Sequence, residues 1–145
     1  MCKSSSTANA AVAAKIMGSV NVPSGEAANI KALTVGSLAV AFEVTNFFQQ
    51  YTSGIIKDTT CTGNPNHAVT AVGYTEKFVL VKNSWGSAWG DQGFVKFTRN
   101  YGNCGLFSYS AYPKLHLTAL KDSGPADEAT PYRPSKDDEM APTSS

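Results

Sequence analysis

Apolar residues fall along this chain in short runs divided by Gly, Pro and Asn clusters, and most of the runs read as strands. Residues 12–22, VAAKIMGSVNV, are rich in small and β-branched side chains and predict a strand stopped by the turn Pro23-Ser24-Gly25. Ser24 is placed to cap a short helix reaching about Leu33, with Glu26 near its positive start and Ala27, Ala28 and Ala32 as good helix formers. Gly36 ends that stretch. The run LAVAFEV, Leu38 to Val44, has too many apolar residues for strict alternation and predicts a buried strand. A turn or short helical stretch follows over Asn46 to Tyr51, and then a polar loop from Asp58 to Asn66.

Three more strands are predicted in quick order: HAVTAVGY from His67, KFVLVKNS from Lys77 and GFVKFTR from Gly93. Their short, turn-rich separations favour an antiparallel sheet or barrel, because parallel units need longer crossovers. The loop SWGSAWGDQG joins the second to the third. A last run, Leu106 to Tyr112, closes at Pro113. From Lys121 to Ser145 the character changes. Six acids (Asp122, Asp127, Glu128, Asp137, Asp138, Glu139) stand against three bases (Lys121, Arg133, Lys136), with four prolines and almost no apolar residue. Residues 114–145 are therefore expected to be a disordered acidic tail after one domain over 1–113.

Composition narrows the classes. A length of 145 residues suits one core, and 42% hydrophobic with 10% aromatic is ordinary for a globular domain. With Lys+Arg 12 against Asp+Glu 11, the net charge of +1 gives no footprint for nucleic acid or an anionic membrane surface. No run of about 18 apolar residues occurs, and Met1 precedes Cys-Lys-Ser-Ser-Ser, so neither a membrane span nor a signal peptide is expected in this chain. Three cysteines, Cys2, Cys61 and Cys104, suggest one pair and a leftover. Cys61 and His67 lack a second close pair of ligands at zinc spacing, so neither a metal nor another cofactor is expected.

Of the two histidines, His116 follows the last strand in KLHLTAL and reads as a surface residue. His67 opens an otherwise apolar strand and alone would read as structural. Sixteen residues later stands Asn83, and two further Trp85, in LVKNSWG. A histidine that deprotonates a nucleophile needs a second group to hold its ring in one tautomer, and an amide oxygen can accept from its N–H. An indole over such a bond would exclude competing water. Trp89, in the same loop, reads as packing.

Asn66-His67-Ala68-Val69, AVGY, LVKNSWGSAWGDQGF and NCGLFSYSAYP together resemble the papain family of cysteine peptidases over residues 2–113. The resemblance implies α+β, mainly β with short helices: the right-hand antiparallel β-barrel-like domain of the papain-like fold. It implies His67 as the catalytic histidine, Asn83 as its orienter, Trp85 as the support of that asparagine, and a Cys61–Cys104 disulfide. By alignment of motifs, Ala41, Asn66, Ala68 and Tyr109 fall where family members line the pocket for the substrate's second residue before the cut. Tyr109 is bulky enough to make that pocket shallow.

The family's nucleophile sits in a Cys-Gly-Ser-Cys-Trp-like segment roughly 130 to 150 residues before the histidine. Only 66 residues precede His67, and no such segment is among them. Cys2 resembles instead the family cysteine that pairs with the left-hand, helical domain. The expectation is therefore the C-terminal half of a cysteine endopeptidase, inactive alone. Completed by the left-hand domain, it would take a peptide or protein substrate, or an inhibitor or propeptide, as partner in a lysosomal or extracellular setting. The alternative is a non-catalytic papain-like protein-binding module.

Overall fold

The computed structural model describes residues 16–100 and 103–115. Its elements are β1 (Ile16–Val22), α1 (Glu26–Leu33), β2 (Leu38–Phe42), α2 (Asn46–Gln49), β3 (Ile55–Ile56), β4 (His67–Tyr74), β5 (Phe78–Lys82), β6 (Phe94–Thr98), a 3-10 turn (Asn103–Gly105) and β7 (Tyr109–Leu115). Two compact units divide the chain. Of the larger, the described residues are 20–100 and 103–112, and they hold the core; of the smaller, the described residues are Ile16–Ser19 and Pro113–Leu115, which belong to β1 and β7. Cys2, His116 and the rest of the expected tail lie outside the described residues, while its first two residues, Lys114 and Leu115, belong to β7.

Seven strands form one sheet in the order β1-β7-β2-β4-β5-β6-β3. The pairs β2–β4, β2–β7, β4–β5 and β5–β6 are antiparallel, as the short connections require. Ile55 and Ile56, assigned to no element by the sequence pattern, pair in parallel with Lys96 and Phe97. A two-residue strand carries too little pattern to be recognised.

The inward side of the sheet is supplied by alternate residues: Leu38, Val40 and Phe42 of β2, Val69 and Ala71 of β4, Val79 and Val81 of β5, and Val95 and Phe97 of β6. In a flat sheet Phe42 and Phe97, three strands apart, would stand about 14 Å from each other at ordinary strand spacing. Their ring centroids are 5.2 Å apart. The sheet is thus strongly coiled, as a barrel-like arrangement demands.

Several expectations need correction. β2 does alternate: Leu38, Val40 and Phe42 are buried, while Ala39 is exposed and Ala41 half-buried. Alanines on the outward face hid the period, because they count as apolar but cost little in water. The cap of α1 is Gly25 at φ 106, not Ser24, and no side chain caps it. Glu26 stands in the first turn of α1 as expected, and its carboxylate ties that turn to the end of β6, accepting from Arg99 Nε at 2.8 Å and the Asn100 amide at 2.7 Å. Leu106 to Ser108 form a turn, and β7 runs from Tyr109 through Pro113 to Leu115. Pro113 lacks a donor N–H, but it lies beyond Ala111, the last β7 residue paired with β2, so it removes no bond from that ladder.

Cys61 and Cys104 are joined in a disulfide that spans 43 residues. The Asp58 carbonyl oxygen lies 3.7 and 4.0 Å from the two sulfurs; bridged sulfurs carry no hydrogen, so these are packing contacts. Asp58, Cys61 and Cys104 have ligand atoms within 4.8 Å of one another, but the sulfurs are committed to each other, so the cluster is not a metal donor set while the bridge stands. The Asp58 carboxylate accepts from the Thr60 amide at 2.8 Å, the Thr60 hydroxyl at 2.7 Å and the Thr45 hydroxyl. Burial pushes this carboxyl upward, and the hydroxyls of Thr45 and Thr60 with the Thr60 amide outweigh that and hold it below its ordinary value.

Closing a loop of 43 residues is worth about 4 kcal/mol by chain entropy. Reduction, or the pair of Cys61→Ala and Cys104→Ala changes, is expected to lower unfolding stability by about that amount, read as a shift of the urea midpoint. An unchanged midpoint would show that the bridge adds nothing.

Candidate active site

His67 is the first residue of β4 and shares its inward face with Val69 and Ala71. It pairs in register with Phe42, the last residue of β2, so its ring stands at the end of the core. The Phe42 ring meets it edge-on at 5.8 Å. In β5, Val79 and Val81 point inward, and Asn83 continues that parity just beyond the strand. Thr70 pairs with Lys82 and Ala71 with Val81; continuing that register sets Asn83 across from Val69, one same-face position from His67. Two residues sixteen apart therefore meet because both occupy inward positions at one end of one hairpin.

His67 Nε2 lies 2.9 Å from Asn83 Oδ1. The Ser84 amide donates to the same oxygen at 2.8 Å. That second bond fixes which way the amide faces, since turning it over would set a donor against the Ser84 N–H. An oxygen can only accept, so Nε2 carries the proton, and in the neutral ring Nδ1 is the basic nitrogen. Asn83 is 7% exposed, and its Nδ2 is buried with no hydrogen-bond partner among the described residues.

Trp85 packs beside the histidine, ring centroids 5.2 Å apart at 33°, with 39% of its surface exposed. Its other contacts are Phe48 at 5.6 Å and Trp89 at 5.1 Å. Trp89 donates from Nε1 to the Gln49 carbonyl at 3.0 Å and packs on Tyr51 at 5.7 Å. The loop that carries both indoles is tightly folded. Gly90 has φ 59, and a Cβ there would stand 2.7 Å from the Phe94 carbonyl oxygen, so only glycine fits. Gly93 accepts the Asn83 amide at 2.9 Å, which joins the loop's return to the asparagine.

Beneath that return, Lys96 is fully buried and its ammonium lies 3.1 Å from an Asp91 carboxylate oxygen and 5.8 Å from the Phe78 ring centre. No local pattern signals this pair, because a lysine within FVKFT reads as the solvent side of a strand. Phe48, which binds core and loop together, was likewise hidden in a stretch read only as a turn or short helix.

An open pocket of about 440 Å3 on the outward face of the sheet is lined by Ala68, the residue after His67, and by Ala39, Ala41, Tyr109, Ser110 and Ala111, among others. The register explains it: Ala41 pairs with Ala68 on one side and Tyr109 on the other, so small outward residues meet across three strands. Three of the four residues assigned to a substrate pocket therefore lie together. Asn66 does not line it; its Oδ1 accepts from the Val44 amide at 2.8 Å. Tyr109 is 68% exposed and stands at the rim.

The sequence matches the papain family cysteine protease model over residues 1–114. It is 44% identical over 113 residues to a cathepsin L-like peptidase of Aedes aegypti, covering 71% of this chain and 33% of that protein. It is 39% identical over 111 residues to a pro-cathepsin H of Medicago truncatula, covering 70% and 32%. A solved Carica candamarcensis cysteine protease, CMS1MS2 in complex with E-64, superposes with TM-score 0.66 at 35% identity, covering 69% of this chain and 49% of that one. The chain spans about a third of the length of the curated relatives it matches. No helix among the described residues is long and apolar enough to cross a membrane.

In its neutral form, the His67 ring is expected to be protonated at Nε2 and bare at Nδ1, read from the two ring 15N shifts. Asn83→Ala should collapse that preference to a mixture of tautomers. A wild-type ring protonated at Nδ1 would overturn the assignment.

Proposed function

The chain belongs to the papain family of cysteine proteases, and from that premise we propose that it supplies the base-bearing wall of a peptide-hydrolysing cleft. The hydrogen bond from His67 Nε2 to Asn83 Oδ1 carries the reading, since it leaves Nδ1 as the base. Cys61 and Cys104 are bridged and cannot be the nucleophile, and Cys2, followed by Lys-Ser-Ser, lacks the Cys-Gly-Ser-Cys-Trp-like setting of the family's nucleophile. The thiol is therefore assigned to the portion of its relatives that this chain does not span.

In the proposed cycle Nδ1 takes the thiol proton, and the thiolate attacks the peptide carbonyl carbon. The imidazolium then gives that proton to the leaving amine as the C–N bond breaks, leaving a thioester. Water loses a proton to Nδ1, attacks the thioester, and the C–S bond breaks to release the acid and regenerate the thiol. Asn83 keeps the ring facing the reacting atoms through both steps, and Trp85 limits water at that bond. The pocket floored by Ala41 and Ala68 takes an apolar side chain two residues before the cut, with Tyr109 restricting its size. Cathepsins and digestive proteases among the relatives support a lysosomal or secreted setting, and neighbours solved with E-64 support inhibitor binding at the same cleft.

The 145-residue chain alone is expected to show no turnover. Supplying a papain-like left-hand domain with its cysteine in trans should produce peptide hydrolysis that iodoacetamide abolishes. His67→Ala should then lower it about a thousandfold or more. Thiol-dependent turnover by the chain alone, or complemented activity indifferent to His67→Ala, would sink the proposal.

In the complemented enzyme, Tyr109→Ala should raise kcat/KM for peptides with a large aromatic side chain two residues before the cut, relative to valine there, by roughly tenfold. An unchanged ratio would remove Tyr109 from the pocket's rim.

A further inference from the structure

The segment between Cys61 and His67 has no regular structure, yet it must deliver the histidine to one position. We propose that Glu43, just past the end of β2, is a positioning residue for the His67–Asn83 pair, acting through residues 62–66.

One oxygen of its carboxylate, Oε2, accepts from the Thr62 amide at 2.7 Å, the Thr62 hydroxyl at 2.9 Å, the Gly63 amide at 2.7 Å and the Asn64 amide at 3.1 Å. Successive amides converging on one anion form a nest, and the positive φ of Gly63, 86°, lets the chain curve around it. The residues on either side of Glu43 hold the next step of the loop: the Phe42 carbonyl accepts the Asn66 amide at 3.1 Å, and the Val44 amide donates to Asn66 Oδ1 at 2.8 Å. The Glu43 amide donates to the Cys104 carbonyl at 2.8 Å, beside the disulfide that fixes Cys61. The loop is thus fixed at its start by the bridge, at its end by Asn66 and in the middle by the Glu43 carboxylate.

His67 occupies the terminal pair of the β2–β4 ladder, where strands fray. Without an acceptor for three adjacent amides, slack in 62–64 passes to Asn66 and then to the histidine. The ring's bond to Asn83 leaves little tolerance for that, since a misplacement of about 1 Å at a reacting group costs on the order of a hundredfold in rate. Desolvation pushes the Glu43 carboxyl upward, but the Thr62 hydroxyl and the amides of Asn64, Thr62 and Gly63 outweigh it and hold it below its ordinary value. It is therefore ionised at neutral pH.

This inference rests on the reading of His67 as the base, but its test reads the ring's hydrogen bond and not turnover, so the two can fail separately. The full chain is compared with Glu43→Ala and Glu43→Gln by NMR, with circular dichroism as the check on the fold. In Glu43→Ala the Nε2 proton of His67 should exchange about tenfold faster, as loss of charge-assisted bonds implies. Glu43→Gln, which keeps an acceptor oxygen, should restore most of the protection. A ring proton unchanged in a folded Glu43→Ala variant would reduce Glu43 to a surface brace and overturn the proposal. Should Glu43→Ala fail to fold, hydrogen exchange of the unmutated chain in sub-denaturing urea decides. The amides of 62–64 and the His67 ring proton are expected to open together, and opening of the amides alone would overturn it.

Discussion

The packing of Phe48 is the contact on which the site depends. Its ring is 1% exposed and touches Phe42 at 4.7 Å, Phe97 at 5.8 Å, Trp85 at 5.6 Å and Trp89 at 5.0 Å. Two of those partners belong to the coiled sheet and two to the loop beside His67. Burying such a ring is worth roughly 2 to 3 kcal/mol, and here that energy couples the core to the indole that packs on the histidine. The ring is carried by a helix of four residues, far too short to persist in isolation. Thr45 makes it possible: its hydroxyl oxygen accepts the Phe48 amide at 3.1 Å and its hydroxyl hydrogen goes to Asp58, which is itself beside the disulfide. A polar cap and a covalent bridge thus hold an aromatic wedge in place.

Much of this was legible from the chain. β4 begins at His67 and ends at Tyr74 as the run HAVTAVGY predicts, and β5 and β6 fall within their predicted runs. Long apolar runs bounded by turn residues leave little choice of element. The His67–Asn83 pair was legible because an orienting amide has a chemical reason to exist, and the papain-family resemblance supplied the spacing. Interactions made by lone side chains across long separations were not. Glu43 closing an apolar strand and Lys96 within another look like ordinary solvent-facing charges; one is bound by three amides and the other is buried beside Asp91. Nothing local distinguishes such charges, since their partners lie in turns whose path only the fold defines. Asn66 was grouped with the pocket residues by alignment of motifs, and no local pattern signals that its amide oxygen accepts from the Val44 amide.

The buried Lys96–Asp91 pair and the Glu43 nest treat charge differently. A buried ion pair gives little net stability but makes loss of either partner costly, so it restricts which conformation the return from the indole loop can take. The Glu43 carboxylate is less deeply placed and holds a loop with no other acceptor at those amides. Each charge sits at the far end of a segment whose near end bears a site residue, Asn83 or His67. Stability and placement are thereby separated, with the apolar faces supplying the first and a few ionised groups the second.

The parity of the β4–β5 hairpin has one more consequence. His67 and Asn83 share the inward alternation of Val69, Ala71, Val79 and Val81, so a slip of one residue would turn the pair outward and expose the core at the same time. A misassembled site of that kind would be a misfolded protein, and quality control of the core doubles as quality control of the chemistry. The hairpin's tip, Thr75–Lys77, lies at the opposite end of the strands. Residues added there would extend the ladder away from the histidine and leave its register intact, and would disturb the bonds that Arg99 makes to the Thr75 and Lys77 carbonyls.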